Sequence, residues 1–111
     1  MNKVHRNNKK FDLIIWGATG YTGKLVCEYI FKNYKNTNLK WALSGRDKSK
    51  IKSLISSLNL TSIPYLIADS NNKNSLLDMT KMTKTICSTV GPYSKYGTLL
   101  VESCIESKTN Y

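Results

Sequence analysis

Apolar and polar positions along the chain fall into two alternating rhythms. Phe11 to Trp16, FDLIIW, is a nearly continuous apolar run of the length expected for a buried strand. Behind it, from Tyr21 to about Asn33, Leu25, Val26, Tyr29 and Ile30 recur at helical spacing, which predicts a helix with those four side chains turned inward. Lys40 to Leu43 reads as a second, short strand. Asp47 then stands where it can cap a helix in which Ile51, Leu54, Ile55 and Leu58 form an apolar stripe opposite a lysine-rich side. Ile63 to Ala68 reads as a third strand, with Pro64 near its start, where a missing N–H does least harm. A weaker helix is expected over Asn74 to Lys81 and a fourth strand over Thr85 to Ser88. A last helix is expected from Tyr96 to Glu106, with Leu100, Val101, Cys104 and Ile105 facing inward.

Strands alternating with helices at this spacing imply βαβ units, a parallel sheet covered on both faces and right-handed crossovers. The expected fold is therefore α/β, a Rossmann-type doubly wound parallel sheet with strand order 3-2-1-4. After the last helix only Thr109, Asn110 and Tyr111 remain, where a fifth strand would start. The sheet is thus expected to be incomplete at its C-terminal side. Residues 1–10 read as a polar, flexible lead-in and 11–111 as a dinucleotide-binding domain, part of a longer protein whose substrate domain is absent.

The junction of the first strand and helix carries the chemistry. Three of the six glycines, Gly17, Gly20 and Gly23, fall within IIWGATGYTG, at the carboxyl end of the strand and the mouth of the helix. The first N–H groups of a helix have no internal partner, so such a corner binds anions. Gly17 permits a tight turn, Gly20 lets backbone approach a diphosphate without an intervening β-carbon, and Gly23 lets the helix pack close to the strand. The spacing G-x-x-G-x-x-G is a variant of the dinucleotide fingerprint, in the strand-to-helix context that the fingerprint needs. Lys24, in the first helical turn, opposes the helix dipole unless an anion sits nearby; a solvated lysine is the plain alternative.

An NAD site would place Asp or Glu at the end of the second strand, to hold the ribose 2′-hydroxyl. Here the chain reads Leu43-Ser44-Gly45-Arg46, so Ser44 and Arg46 are candidate donors to a 2′-phosphate and NADP is favoured. Asp47 is assigned to the helix cap instead. Asp69, just past the third strand, can accept from the adenine amino group or serve as an ordinary loop aspartate. The loop after the fourth strand holds Val90, Gly91, Pro92 and Tyr93 on the same carboxyl edge, beside the pyrophosphate and nicotinamide ribose; packing on its own domain is the alternative.

Composition narrows the class. At 111 residues the chain is one domain in length. It has no apolar run near the roughly 18 residues of a membrane span, and its N-terminal stretch lacks the apolar core of a secretory signal. Cys27, Cys87 and Cys104 are odd in number and far apart, which fits packed, reduced thiols in a cytoplasmic compartment and gives no zinc or other metal pattern. The net charge of +10 comes from lysines spread along the whole chain, without an arginine tract or an aromatic ladder. It reads as solvated basic faces, and no nucleic-acid partner is expected.

Three segments, FDLIIWGATGYTGKLVCEYI, KWALSGRDKSKI and TVGPYSKYGTLLVESC, together resemble the N-terminal NADP-binding domain of the saccharopine dehydrogenase-like oxidoreductases, a family that includes the trans-acting enoyl reductases. The likeness covers nearly everything from Phe11 to Tyr111. It implies that Gly17, Thr19, Gly20, Tyr21 and Thr22 hold the pyrophosphate, that Arg46 holds the 2′-phosphate, and that Val90 to Tyr93 border the nicotinamide. It further implies a following substrate and dimerisation domain, a small-molecule or lipid substrate, and association of some members with lipid droplets or membranes. No residue of this chain stands out as a general acid or base: His5 lies in the lead-in and no Tyr-x-x-x-Lys pair is suitably placed. The leading expectation is an NADP(H)-binding domain of an oxidoreductase. The alternatives are a non-catalytic NADP(H)-sensing module, an atypical short-chain reductase and, outside the dinucleotide class, a basic nucleic-acid binder.

Overall fold

The computed structural model describes residues 9–34, 36–69 and 71–89, together with 103, 105–107, 109 and 110. The elements run β1 (Phe11–Trp16), α1 (Tyr21–Tyr34), β2 (Trp41–Gly45), α2 (Lys48–Ser57), β3 (Tyr65–Ile67), α3 (Lys73–Lys81) and β4 (Thr83–Ser88). The strands form one parallel sheet in the order β3-β2-β1-β4, as the sequence predicts. One core lies under α3 and holds Ile14, Trp16, Ala42, Leu76, Met79 and Ile86. The other lies under α1 and α2 and holds Ile15, Cys27, Ile30, Leu43 and Leu54.

Local chemistry sets the element ends. Asp47 caps α2, its Oδ1 accepting from the N–H groups of Ser49 (2.9 Å) and Lys50 (3.2 Å). The helix closes through Asn59, at φ 57°, with Leu60 N–H donating to Ile55 O at 2.8 Å. Asn72 caps α3 by accepting from Ser75 N–H at 3.1 Å.

Several expectations need correction. Strand β2 runs on to Gly45, because Ser44 is in register with Trp16 and Leu66, and Gly45 with Ile67. Strand β3 is shorter than predicted, since Ile63 N–H turns back to Leu60 O (2.9 Å) and Pro64 has no N–H to give. Strand β4 begins two residues early, with Thr83 in register with Phe11.

On α1 the buried residues are Gly23, Cys27 and Ile30, while Leu25 and Tyr29, predicted inward, are 50% and 60% exposed. Ile105, also predicted inward, is 71% exposed; Ser103 and Ser107 are buried in its place. Lys9, assigned to the flexible lead-in, is buried. Tyr96, Leu100, Val101 and Cys104 lie outside the described residues. Asn110 makes a parallel bridge to Thr85 on the outer edge of β4, where the sequence places the start of a further strand.

Candidate functional site

The turn between β1 and α1 is held from two sides. Ser44 O accepts from Gly17 N–H (3.0 Å) and Ala18 N–H (3.2 Å), which fastens the turn to the tip of β2. From the β4 side, the Thr89 hydroxyl donates to Trp16 O (2.8 Å) or Gly17 O (2.9 Å), and Thr89 N–H donates to Trp16 O at 3.0 Å. Gly17 sits at φ 80°, in the left-handed region that glycine enters without penalty. A β-carbon on Gly23 would overlap Gly17 O and lie 2.7 Å from Ala18 Cα, so only glycine lets the helix approach the turn this closely.

Gly20 is different. It is exposed, and the nearest atom to an added β-carbon would be Gly17 O at 3.4 Å, an ordinary contact. Among the described residues there is therefore room for a side chain at Gly20.

Inside this frame the amides are bare. Gly20 N–H donates to Gly17 O and Lys24 N–H to Gly20 O, but among the described residues the N–H groups of Thr19, Tyr21, Thr22 and Gly23 have no acceptor. No acidic side chain occupies the first turn of α1, and no side chain caps it among the described residues. Unpaired donors at the positive end of a helix dipole make an anion cradle.

The other predicted residues are placed as follows. Arg46 is exposed just past β2, without an ion pair among the described residues. Ser44 is fully buried, and strand alternation puts its side chain on the α3 side with Ala42. Its hydroxyl has no partner among the described residues, and its carbonyl is the group that serves the turn. Asp69 is half-buried, and its Oδ1 accepts from Asn71 N–H at 2.9 Å within the β3–α3 loop. Val90, Gly91, Pro92 and Tyr93 lie outside the described residues.

Thr89 is the residue that sequence reasoning passed over. Its hydroxyl role follows only from the β1–β4 pairing, which brings the end of one strand beside the turn after the other.

Burial pushes the Cys27 thiol up to about 12, with the Cys87 charge adding to it, and burial raises Cys87 as well, which disfavours the nucleophilic thiolate at both. Among the described residues no three His, Cys, Asp or Glu side chains gather around a metal-sized space. None of the helices described is long and apolar enough to cross a membrane. An apolar groove of about 430 Å³ beside Phe31, Tyr34 and Trp41 opens at the amino ends of the strands. It lies away from the carboxyl edge, where parallel sheets take their ligands.

No family model matches the chain. Among curated proteins it is 31% identical over 107 residues to the trans-acting enoyl reductase of Mycobacterium leprae, covering 95% of this chain and 25% of that protein. It is 26% identical over 108 residues to the lipid droplet localized protein of Caenorhabditis elegans, covering 92% and 25% respectively. The chain thus spans about a quarter of the length of these relatives.

Among solved structures, apo saccharopine dehydrogenase from Saccharomyces cerevisiae superposes with a TM-score of 0.71 at 14% identity, over 89% of this chain and 20% of that one. An NADPH-dependent quinone oxidoreductase from Escherichia coli, solved with NADPH, superposes at 0.69 and 18% identity, over 87% and 34%. The resemblance read from the three motifs is borne out: the chain has homologues named trans-acting enoyl reductase, and saccharopine dehydrogenase shares its fold.

Proposed function

We propose that the chain is the NADP(H)-binding domain of an oxidoreductase of the saccharopine dehydrogenase-like type, and that the longer protein acts on an apolar or lipid-linked substrate. The observation that carries this reading is the junction of the glycine turn and the first turn of α1, where the N–H groups of Thr19, Tyr21, Thr22 and Gly23 have no acceptor among the described residues and no acidic residue stands in the first turn. The fit to a dinucleotide rests on this cradle and on Gly20, where the described residues leave room for a side chain and the close approach of a ligand accounts for glycine. When bound, a nicotinamide cofactor supplies the hydride chemistry. The chain's own part is to hold the diphosphate on the amides of Thr19 to Gly23 and to keep the turn rigid through Ser44 O and Thr89.

The choice of NADP over NAD follows from the tip of β2. The residues there are Gly45 and exposed Arg46, and the nearby carboxylate of Asp47 is turned to the α2 cap. Arg46 donates to the 2′-phosphate, the free oxygen of Asp69 accepts from the adenine amino group, and Val90 to Tyr93 flank the nicotinamide. The names of the mycobacterial and nematode relatives support reductase chemistry and association with a lipid surface.

Titration of the chain with NADPH and NADH, followed by nicotinamide fluorescence, tests the reading. NADPH is expected to bind tighter by about tenfold or more, and Arg46→Glu to weaken NADPH far more than NADH, since it replaces a charge-assisted donor with a like charge. Absence of binding to either nucleotide overturns the proposal. Equal weakening of both by the substitution overturns the place given to Arg46.

A further inference from the structure

The amino edge of the sheet carries a groove that follows from the short third strand. Strand β3 begins opposite Leu43, with Tyr65 in register, because Pro64 has no N–H for the ladder and Ile63 N–H turns back to Leu60 O. Trp41, two residues earlier, has a strand partner on the β1 side, at Leu13, and none on the β3 side among the described residues. A groove of about 430 Å³ lies there, lined by Trp41, by Phe31 and Tyr34 at the end of α1, and by Leu39, Ile63 and Pro64.

Its chemistry is two-sided. Much of the lining is apolar and partly open to water: Tyr34 is 43% exposed, and Phe31, Leu39 and Ile63 are half-buried. The charged lining residues are Lys10 and Lys40, both exposed and without an ion pair among the described residues, and no acidic residue lines the groove. The Lys10 ammonium stands 5.5 Å from the centroid of the Phe11 ring, itself part of the lining, which places a cation at the groove wall. Asp12 lies outside the lining, and its carboxylate already serves Lys40 N–H and Lys84. Residues 1–8 contain Lys3 and Arg6 and no acid, so the chain leading to Lys9 does not complement these lysines.

We infer that this groove binds a monomeric fatty carboxylate, with its alkyl chain against Trp41, Phe31 and Tyr34 and its head group at Lys10 and Lys40. A volume of about 430 Å³ is that of a small-molecule site, and such sites are apolar with a few polar groups that orient the ligand. An alkyl chain takes the exposed aromatic surface out of water. A neutral chain would leave both ammonium groups without a counter-ion, and a cationic one would add repulsion. The groove opens at the opposite edge of the sheet from the glycine turn, so this inference is separate from the dinucleotide reading and does not rest on it.

Calorimetric titration of the full chain with decanoate, decyltrimethylammonium and acetate tests the inference. Decanoate is expected to bind one site per chain, at least about tenfold tighter than decyltrimethylammonium, and acetate to give no measurable binding. Lys10→Gln and Lys40→Gln should each weaken decanoate by about two- to fivefold and together by about fivefold or more, whereas Lys52→Gln, at an exposed lysine outside the lining, should change nothing. Tyr34→Ala should weaken decanoate as well, without altering the preference for the anion. Saturating NADPH should leave decanoate affinity within about twofold. Equal affinity for decanoate and decyltrimethylammonium, or a decanoate affinity untouched by the double substitution, overturns the assignment. So does competition from NADPH, which would move the carboxylate to the glycine turn. Binding to phosphatidylglycerol vesicles with none to monomeric decanoate would make this face a membrane surface, and a dimer in sedimentation that Tyr34→Ala dissociates would make it an interface between copies; either result overturns the inference.

Discussion

Two glycines only three residues apart are constrained by different things. Gly23 is required by the fold, because a β-carbon there would overlap Gly17 O. Gly20 meets only an ordinary contact and has no left-handed φ, so nothing among the described residues forbids alanine. Gly20→Ala should leave the unfolding midpoint unchanged or raise it slightly, by up to about 1 kcal/mol through a stiffer unfolded chain, while NADPH affinity falls by about tenfold or more. Gly23→Ala should lose about 1–3 kcal/mol, because the helix must move off the turn. Chemical denaturation alongside nucleotide titration separates the two. Full NADPH affinity in Gly20→Ala would remove the ligand from the explanation of that glycine.

At the scale of elements, the sequence revealed the order of strands and helices because apolar runs and helical spacing are local properties. It misjudged the rotation of α1 because Leu25 and Tyr29 are more hydrophobic than Gly23 and Cys27. Close approach decides the rotation: once Gly23 must face Gly17 and Ala18, Cys27 and Ile30 follow four and seven residues on, and Leu25 and Tyr29 turn outward. The glycine turn itself was legible, since its residues are contiguous. The part played by Thr89 was not, because it exists only after β4 meets β1.

Asp12 is a similar long-range tie. It accepts from Lys40 N–H at 3.0 Å and pairs with Lys84 at 3.1 Å, joining the starts of β1, β2 and β4. The Lys40 amide, and then Lys84, hold its carboxyl below its ordinary value of 3.8. A carboxyl lowered by folding stabilises above the unfolded value and loses that stabilisation as pH falls through the folded one. Wild type should therefore lose stability below about pH 4 more steeply than Asp12→Asn, the partly exposed pair contributing about 0.5–1 kcal/mol at neutral pH. Parallel pH profiles of the two proteins, measured by urea unfolding, would remove Asp12 from the account.

At the scale of the whole molecule, the hydrogen bonds that join the most distant described residues lie on the side of the sheet away from α1. The buried ammonium of Lys9 donates to Thr80 O (3.1 Å), Ser107 O (2.8 Å) and the Thr109 hydroxyl (2.7 Å). Thr109 in turn donates to Thr80 O or Thr83 O, and Thr80 shares a hydrogen bond with Ser107 through their hydroxyls. Residues about one hundred positions apart are thus fastened to the end of α3 and the start of β4, beside the Asn110 bridge that covers part of the β4 edge. Ser103 and Ser107 are buried where Ile105 was expected to face inward, and there the Thr80 hydroxyl meets the Ser107 hydroxyl and Ser103 O. Replacing Lys9 with Met keeps much of the stem's volume and removes the charge, leaving buried acceptors short of a donor, at a cost of about 2 kcal/mol. Urea unfolding should show a lower midpoint with an unchanged slope for Lys9→Met. NADPH affinity should stay at the wild-type value, since the network lies outside the glycine turn. A midpoint within about 0.5 kcal/mol of wild type would show that Lys9 does not hold the two ends of the chain to the sheet.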